Sequence, residues 1–411
     1  MRKIADYDVK GKKVLVRADL NCPVKDGKLI SDTRIRAHSA TIGELSDRKA
    51  RVIVLSHQGR RGREDFTSLE EHTRILHRLL KRDVIYVDDV IGERARKAIE
   101  SLKDGQILVL DNVRHLKCET DHPIGEGELI FHIAPLADYY VLDALSVAHR
   151  QHSSVVGFSR HIPCFAGDIL AAELEAVDKV RGGKDVTFIF GGSKVEDSFA
   201  VMKKWLADGR AREVLVGGAL SVLFLYASGR EVGDSLAYLS NSGLIGKVPE
   251  AKALLDRFDG KIVLPVDVAL SRGMKRHESD TENIRSGEIW DIGRKTVERY
   301  KEAINNSHCV VMNGPVGVYE VDDFAFGTKA LLETLANSDS FSLLGGGHTI
   351  SAMERFGIEK KNFSYVSLSG KALIEYMCGQ TLPGIAALDE NEKRFKLDGP
   401  AHRCTACSGG K

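Results

Sequence analysis

The sequence has almost no net charge: 59 Lys and Arg against 58 Asp and Glu leave +1 over 411 residues. Bulk electrostatic capture of nucleic acid or of a membrane surface is therefore not expected, and any cationic site must be local. Long apolar runs are missing too. The most apolar uncharged stretch, Val214–Gly229 (VLVGGALSVLFLYASG), is shorter than a bilayer span and carries Gly-Gly and two serines, which reads as a buried strand, a tight turn and a helix start. Cysteine is sparse, with seven scattered residues. With the polar opening MRKIADYDVKGKK, this gives the expectation of a reducing, cytoplasmic setting. Two nucleotide fingerprints are also wanting. The P-loop pattern G-x-x-x-x-G-K-[ST] is absent, and from Gly345 the dinucleotide pattern G-x-G-x-x-G fails because Ile350 stands in the last glycine position.

What is present describes a folded chain, 43% hydrophobic and of mixed charge. At this length it exceeds one ordinary core, so two domains are expected. Val/Ile/Leu-rich runs alternate with helical patterns: KVLVRADLN, RVIVLSHQG, QILVLDNVR and YYVLDALSV, then VTFIFGGS, EVLVGGA, KIVLPVD, HCVVMNGP and FSLLGGG. Near-continuous apolar runs imply strands covered on both faces, hence βαβ units, parallel sheets and an α/β fold of two doubly wound domains. The seam is expected over 168–180, where Ile169, Leu170, Leu174 and Val177 form one helical stripe. Past Pro383 the polar chain reads as a tail.

In open parallel sheets, ligands bind beyond the carboxyl ends of the strands. In the first half those ends carry Arg17, Asp19 and Asn21, then His57 and Arg60, then Arg114, then His149, Arg150 and His152, with Arg34 on the connection after the first strand. Several guanidiniums at one sheet edge call for a small polyanion, because their forked donors suit carboxylate and phosphate. In the second half the ends are stripped to glycine: FGGSK (Gly191, Gly192, Lys194), VGGA (Gly217), NGPVG (Asn313, Pro315) and LGGGHT (Gly345, Gly346, Gly347, His348, Thr349). Bare backbone at helix starts accepts phosphate, and four such turns point to a nucleotide.

These residues are similar to the 3-phosphoglycerate kinase family. VLVRADLNCPVKDGKLISDTRIRA, LSHQGR, LDNVR, AHRQHSS, GGSKVED, MNGPVGVYE, FGTKAL and GGGHT occur in the family's order, from about Lys12 to Leu388. The resemblance implies two Rossmann-like domains with a deep cleft between them: 1–167 for phosphoglycerate, a hinge helix over 168–180, 181–384 for nucleotide, and 385–411 returning to the first domain and ending in a flexible tail. It implies an intracellular kinase exchanging a phosphoryl group between 1,3-bisphosphoglycerate and ADP, yielding 3-phosphoglycerate and ATP. By resemblance, Asp19, Leu20, Asn21, Arg34, His57, Gln58, Gly59, Arg60, Arg114 and Arg150 hold the glycerate ligand. The glycine turns with Lys194, Asn313, Pro315, Glu320, His348 and Thr349 serve the nucleotide, with Glu320 at the ribose. Arg34 and Lys194 are the expected catalytic pair. Mg²⁺ is expected on the nucleotide phosphates with no protein ligand assigned. No nucleic-acid or membrane partner is expected, and a monomer is expected over a dimer.

Three positions depart from the common family pattern. His348 stands where aspartate is usual, as in the archaeal branch, and either donates to phosphate or caps its helix. Ser198 replaces a second lysine. Lys371, in LSGKAL, stands at a usual glycine and either restores that charge or is merely solvated. His149-x-x-His152 is read as anion-facing rather than a metal pair, and Cys404-x-x-Cys407 with His402 as part of a tail. GRRGRED is read as a mobile loop beside the substrate. A nicotinamide dehydrogenase lacks its fingerprint here, and a silent scaffold would not need both Arg34 and Lys194.

Overall fold

A computed structural model describes residues 1–121 and 127–397. Two compact units emerge: Met1–Leu174 with the chain from Thr381 onward, and Glu175–Gln380. In the first, β1 (Lys13–Arg17), the hairpin β2 (Val24–Lys25) and β3 (Lys28–Leu29), β4 (Arg51–Leu55), β5 (Val84–Val87), β6 (Ile107–Leu110), β7 (Tyr139–Leu142) and β8 (Cys164–Ala166) occur in chain order. Six form a parallel sheet, β5-β6-β4-β1-β7-β8. The second unit contains β9 (Val186–Phe190), β10 (Ala211–Val216), β11 (Ile262–Val263), β12 (Asp267–Arg272), β13 (Lys275–Asp280), β14 (Glu288–Ile292), β15 (Cys309–Asn313), β16 (Phe341–Gly345) and β17 (Tyr365–Val366). Its parallel sheet runs β11-β10-β9-β15-β16-β17.

The apolar runs read as strands are central strands. Val14–Val16, Val52–Leu55 and Phe188–Phe190 are all sealed from solvent, as helices on both faces require. In each sheet the chain first builds to one side of its opening strand and later returns to the other, between β1 and β7 and between β9 and β15. Such reversals open a crevice at the carboxyl edge, and this places both candidate sites.

A third sheet, antiparallel β13-β12-β14, has no counterpart in the sequence reading. Its outer strand is KRHESD, mostly exposed and without an apolar face. Its only local mark is the turn Gly273-Met274, where both residues have positive φ (58° and 65°), the backbone of a tight two-residue hairpin.

The connecting helix spans Asp168–Gly182, two residues past the expected end, with Leu170, Leu174 and Val177 buried. Buried Asp143 holds its start, accepting from the Ile169 and Leu170 N–H groups at 2.9 and 3.4 Å. The tail reading is corrected in part. Pro383–Arg394 is a helix, opened by a proline whose missing N–H costs nothing at that position. Its polar sequence hides a fully buried Asn391. That side chain accepts from Arg2 and the Cys164 N–H (2.8 and 2.7 Å) and donates to the Ser159 and Ile162 carbonyls (2.6 and 2.9 Å). A polar residue satisfied four ways does not look apolar to a periodicity search. His402, Cys404 and Cys407 lie outside the described residues. No helix among the described residues is long and apolar enough to cross a membrane.

Asn391→Ala leaves one Arg2 N–H, one amide and two carbonyls without their partner, while Arg2 keeps its bond to the Phe395 carbonyl. The expected loss is about 2–4 kcal/mol, since each orphaned buried group costs about 1–3 kcal/mol before relaxation. Chemical denaturation of the variant against the parent chain measures it.

Candidate active site

At the carboxyl edge of the first sheet, Asp19 follows β1 and is buried. It accepts from Arg34 and from the Ser146 hydroxyl. Burial alone would raise its pKa, but Arg34, His57, Ser146 and His38 together hold it well below the usual carboxylate range. Asn21 ties two loops together: its side chain accepts from the Gly59 N–H at 2.8 Å, and its own N–H donates to Asp19 at 3.1 Å. Gly59 has φ +63°, and a Cβ there would sit 2.2 Å from the Asp65 carbonyl oxygen, so the LSHQGR loop can turn only at glycine.

The cations outnumber their partners. Arg17 is buried and donates through Nε to the Ser154 hydroxyl at 2.8 Å; that hydroxyl donates onward to buried Glu119 at 2.7 Å. Arg17 also reaches His57 Nδ1 at 3.1 Å. Guanidinium only donates, so Nδ1 accepts, and His57 is a neutral imidazole with its proton on Nε2. Burial and the Arg17 charge push its pKa well down, in agreement. Arg114 donates to the Gly59 carbonyl. Burial, then Arg150 and Arg17, lower its pKa to about 10. Burial and Arg60 likewise lower that of Arg150, whose buried Nε makes no hydrogen bond. Arg60, Arg114, Arg150 and His152 line one open pocket, joined by Arg61, Lys117, Thr120 and a single acid, Asp121. Mutual repulsion of this kind is relieved by an anion.

The sequence-derived residues divide accordingly. Arg34, Arg60, Arg114 and Arg150 retain partly or fully exposed side chains, whereas Leu20 and Gln58 are wholly buried. Gln58 is a loop anchor: it accepts from the Cys22 N–H and His72, and donates to the Cys22 and Asp65 carbonyls. His152 lies 3.4 Å from Glu119, and no cluster of three or more metal-binding side chains occurs among the described residues. Arg61, Lys117, Glu119 and Ser154 were not singled out from sequence. Arg61 and Lys117 look like ordinary surface cations, and Glu119 lies on no strand end.

In the second unit the glycine turns meet at the β9–β15 reversal. A Cβ on Gly191 would lie 2.0 Å from the Pro315 carbonyl oxygen, and one on Gly314 (φ +90°) would lie 2.5 Å from the Gly191 oxygen. These glycines are there because two backbones press together. Their amides are also engaged: Gly191, Gly192, Gly217 and Gly218 donate to the carbonyls of Asn313, Pro315, Phe190 and Val316. Packing between the turns thus takes up those four N–H groups. The helix Gly347–Arg355 differs. A Cβ on Gly347 would meet nothing within 4 Å, and the first helical bond is from Ile350 N–H to Gly346, leaving the amides of Gly347, His348 and Thr349 ahead of it. Thr349 is buried and accepts from the Gly314 N–H at 2.9 Å. Asn313 ends β15 beside Gly345.

Beside these turns lies a pocket of about 260 Å³. Val222, Tyr238, Ile289 and Trp290 supply apolar surface, Glu288, Glu320 and His348 the polar groups, and Gly192, Ser193, Gly218 and Pro315 the backbone. Tyr238 and the Glu288–Trp290 segment escaped sequence reading because they lie far along the chain from the four glycine turns that mark the strand ends. His348 does not cap its helix: Gly346 holds the cap position without a side-chain bond, while the His348 ring lies 3.4 Å from the Tyr319 hydroxyl. Lys194 and Lys371 begin the helices Val195–Ala207 and Lys371–Met377. Burial raises the pKa of Asp197, and both lysines act against that rise, so one carboxylate senses both. Ser198 is buried.

A parallel-sheet unit with crowded guanidiniums and another with a glycine-walled pocket are the equipment of an α/β phosphotransferase. Comparison with known proteins makes the assignment. A family model described as phosphoglycerate kinase matches residues 4–380. The phosphoglycerate kinase of Methanothermobacter thermautotrophicus is 39% identical over 398 residues, covering 94% of this chain and 96% of that protein. That of Pyrococcus abyssi is 38% identical over 408 residues, covering 96% and 99%. The crystal structure of phosphoglycerate kinase from Pyrococcus horikoshii superposes with a TM-score of 0.90 at 35% identity, covering 96% of this chain and 100% of that one. The chain belongs to the phosphoglycerate kinase family.

The buried His72 gives the first unit an acid-sensitive support. Its Nε2–H donates to Gln58 at 2.9 Å, Nδ1 is buried without a partner, and burial lowers its pKa from 6.5 to about 4. A base with a depressed folded-state pKa stabilises the fold above its unfolded pKa, and that stability is lost as pH falls. Between pH 7 and 5 the loss attributable to His72 is about 2 kcal/mol. His72→Leu should flatten the pH dependence of denaturation by that amount, whatever its effect at pH 7.

Proposed function

We propose that the chain catalyses reversible phosphoryl transfer between 1,3-bisphosphoglycerate and ADP, giving 3-phosphoglycerate and ATP. The observation that carries the reading is the arginine pocket, where Arg60, Arg114 and Arg150 repel one another and Arg150 Nε is buried without a partner. A ligand bearing both phosphate and carboxylate answers that imbalance. In this reading His57 donates through Nε2 to the glycerate ligand, and Asp19 holds Arg34 beside the reacting carboxyl group. The nucleotide sits in the Trp290–Glu320 pocket, its ribose at Glu320 and its phosphates at the start of helix Gly347–Arg355, beside His348 and Lys194.

The chemistry needs no general base. In the ATP-consuming direction the attacking group is a carboxylate, already ionised at neutral pH, so catalysis reduces to alignment and charge neutralisation. Arg34 and Lys194 flank the transferring group. Magnesium enters as part of the Mg-nucleotide substrate: the start of the helix Gly347–Arg355 offers amides and imidazole, which suit phosphate oxygens, while the pocket's carboxylates, Glu288 and Glu320, belong in this reading to its nucleoside end. The ion supplies charge neutralisation on the phosphates. His348 donates to phosphate, and Lys371, which shares Asp197 with Lys194, is the compensating cation for the position Ser198 leaves neutral. Bringing two ligands together calls for hinge motion at 168–180 and 382–384, in a monomeric cytoplasmic enzyme.

A coupled assay of ATP formation from 1,3-bisphosphoglycerate tests the reaction. Arg34→Ala or Lys194→Ala should each lower kcat by roughly 10²–10³-fold, as removal of a charge-stabilising group does elsewhere. Lys371→Gly should lower turnover less than Lys194→Ala, and unchanged turnover would remove Lys371 from the mechanism. Small-angle scattering with both substrates present should show a smaller radius of gyration than with either alone.

A further inference from the structure

The segment Glu288–Trp290 lines the pocket, and it does so from a strand interrupted by a bulge. In the β12–β14 pairing Ala269 faces Asp291 and Leu270 faces Ile289, so Trp290 has no residue opposite. A bulge adds one residue to one strand and re-aims its side chain. Trp290 also uses its backbone outside the ladder: its carbonyl accepts from the Val318 N–H at 2.7 Å, in the loop that carries Tyr319 and Glu320. Its ring packs edge-on against Phe324 at 5.0 Å, and its Nε1–H donates to Glu288 at 2.7 Å.

The next residue holds this arrangement in place. Asp291 is buried, and its carboxylate accepts from Arg276 at 2.9 Å, the Gly327 N–H at 2.8 Å and the Ile292 N–H at 2.9 Å. Arg276, from β13, also donates to the Asp323 and Ile292 carbonyls and to Glu278. The backbone closes tightly around the carboxylate: a Cβ on Gly317 or Gly327 would lie 2.2 or 2.3 Å from Asp291 Oδ1. One ion pair thus joins the bulge, the Gly317–Phe324 loop and the start of the helix Phe326–Ala336. A buried ion pair is weak evidence of stability, because desolvation offsets much of its attraction; fixing one arrangement among several is its better-attested use.

We propose that Arg276 and Asp291 are positioning residues for the nucleotide pocket: their ion pair fixes the Trp290 bulge and the Glu320 loop relative to each other, and so sets affinity for the nucleoside part of the nucleotide without touching the transferred group. This rests on the nucleotide reading of the pocket. Neither residue lines the pocket.

Direct ADP binding, read by calorimetry and by tryptophan fluorescence, tests the proposal independently of turnover. The chain has two tryptophans. Trp205 is buried in the core with its Nε1–H on the Met377 carbonyl, so an ADP-induced fluorescence change reports Trp290. Asp291→Asn and Arg276→Ala should each weaken ADP binding by about tenfold, equivalent to ~1.4 kcal/mol, and raise the nucleotide KM alike. The KM for 3-phosphoglycerate and kcat at saturating nucleotide should stay within about twofold. Arg276→Lys, which keeps the charge but loses the fork, should recover part of the affinity. Unchanged ADP affinity in all three variants would overturn the proposal, as would equal losses for both substrates. Should a variant fold poorly, Arg276→Lys carries the test. A parent chain that binds no ADP would overturn the nucleotide reading and this proposal with it, whereas a parent that binds beside variants that bind equally well overturns this proposal alone.

Discussion

Positive charge packed closer than its neighbours can neutralise is the constraint on which the first unit is organised. Arg17, Arg60, Arg114 and Arg150 act on one another across the carboxyl edge of one sheet, with Asp19 and Glu119 the acids set among them. Such a cluster is tolerable only if each head is held away from the others by hydrogen bonds or faces solvent. The structure uses both means: Arg17 is fixed on Ser154 and His57, Arg114 on the Gly59 carbonyl, and Arg60 stands in water. His57 stays neutral for the same reason, since another proton there would sit against Arg17. The near-zero net charge of the chain shows that this imbalance is local rather than a property of the whole surface.

In the proposed reading, the second unit meets phosphate by the opposite means. Its turns bring backbone against backbone so closely that side chains are excluded, and four glycine amides are absorbed in holding those turns together. What remains for an anion is the start of one helix and the lysines beside it. The two units share a sheet topology, a chain reversal beside a central strand, and differ in what they place at that reversal.

Much of this was legible from residues alone. The central strands announced themselves because burial on both faces demands unbroken Val/Ile/Leu runs, and strand ends then gave the arginines and the glycine turns. The residues that escaped share a different property: their importance comes from pairing across the fold. Asn391 is a polar residue in a polar helix until its four partners are seen. Glu119 and Ser154 lie on no strand end, and KRHESD has no apolar face. Gln58 shows the same from the other side: its place in LSHQGR groups it with the expected ligand residues, and only its partners reveal that its side-chain amide anchors that loop. Trp290 needed a bulge, and a bulge is a property of two strands rather than of one.

The first unit is built from two separated stretches of chain, whereas the second is one continuous insert. Until the helix Pro383–Arg394 has been made, Arg2, the Cys164 amide and the Ser159 and Ile162 carbonyls have no Asn391 to meet. Synthesis from the amino end therefore delivers every residue of the insert before the outer unit can close. A chain ending at Gln380 would hold every residue of the inserted unit, whereas its outer unit would still lack the buried amide on which four of its groups converge.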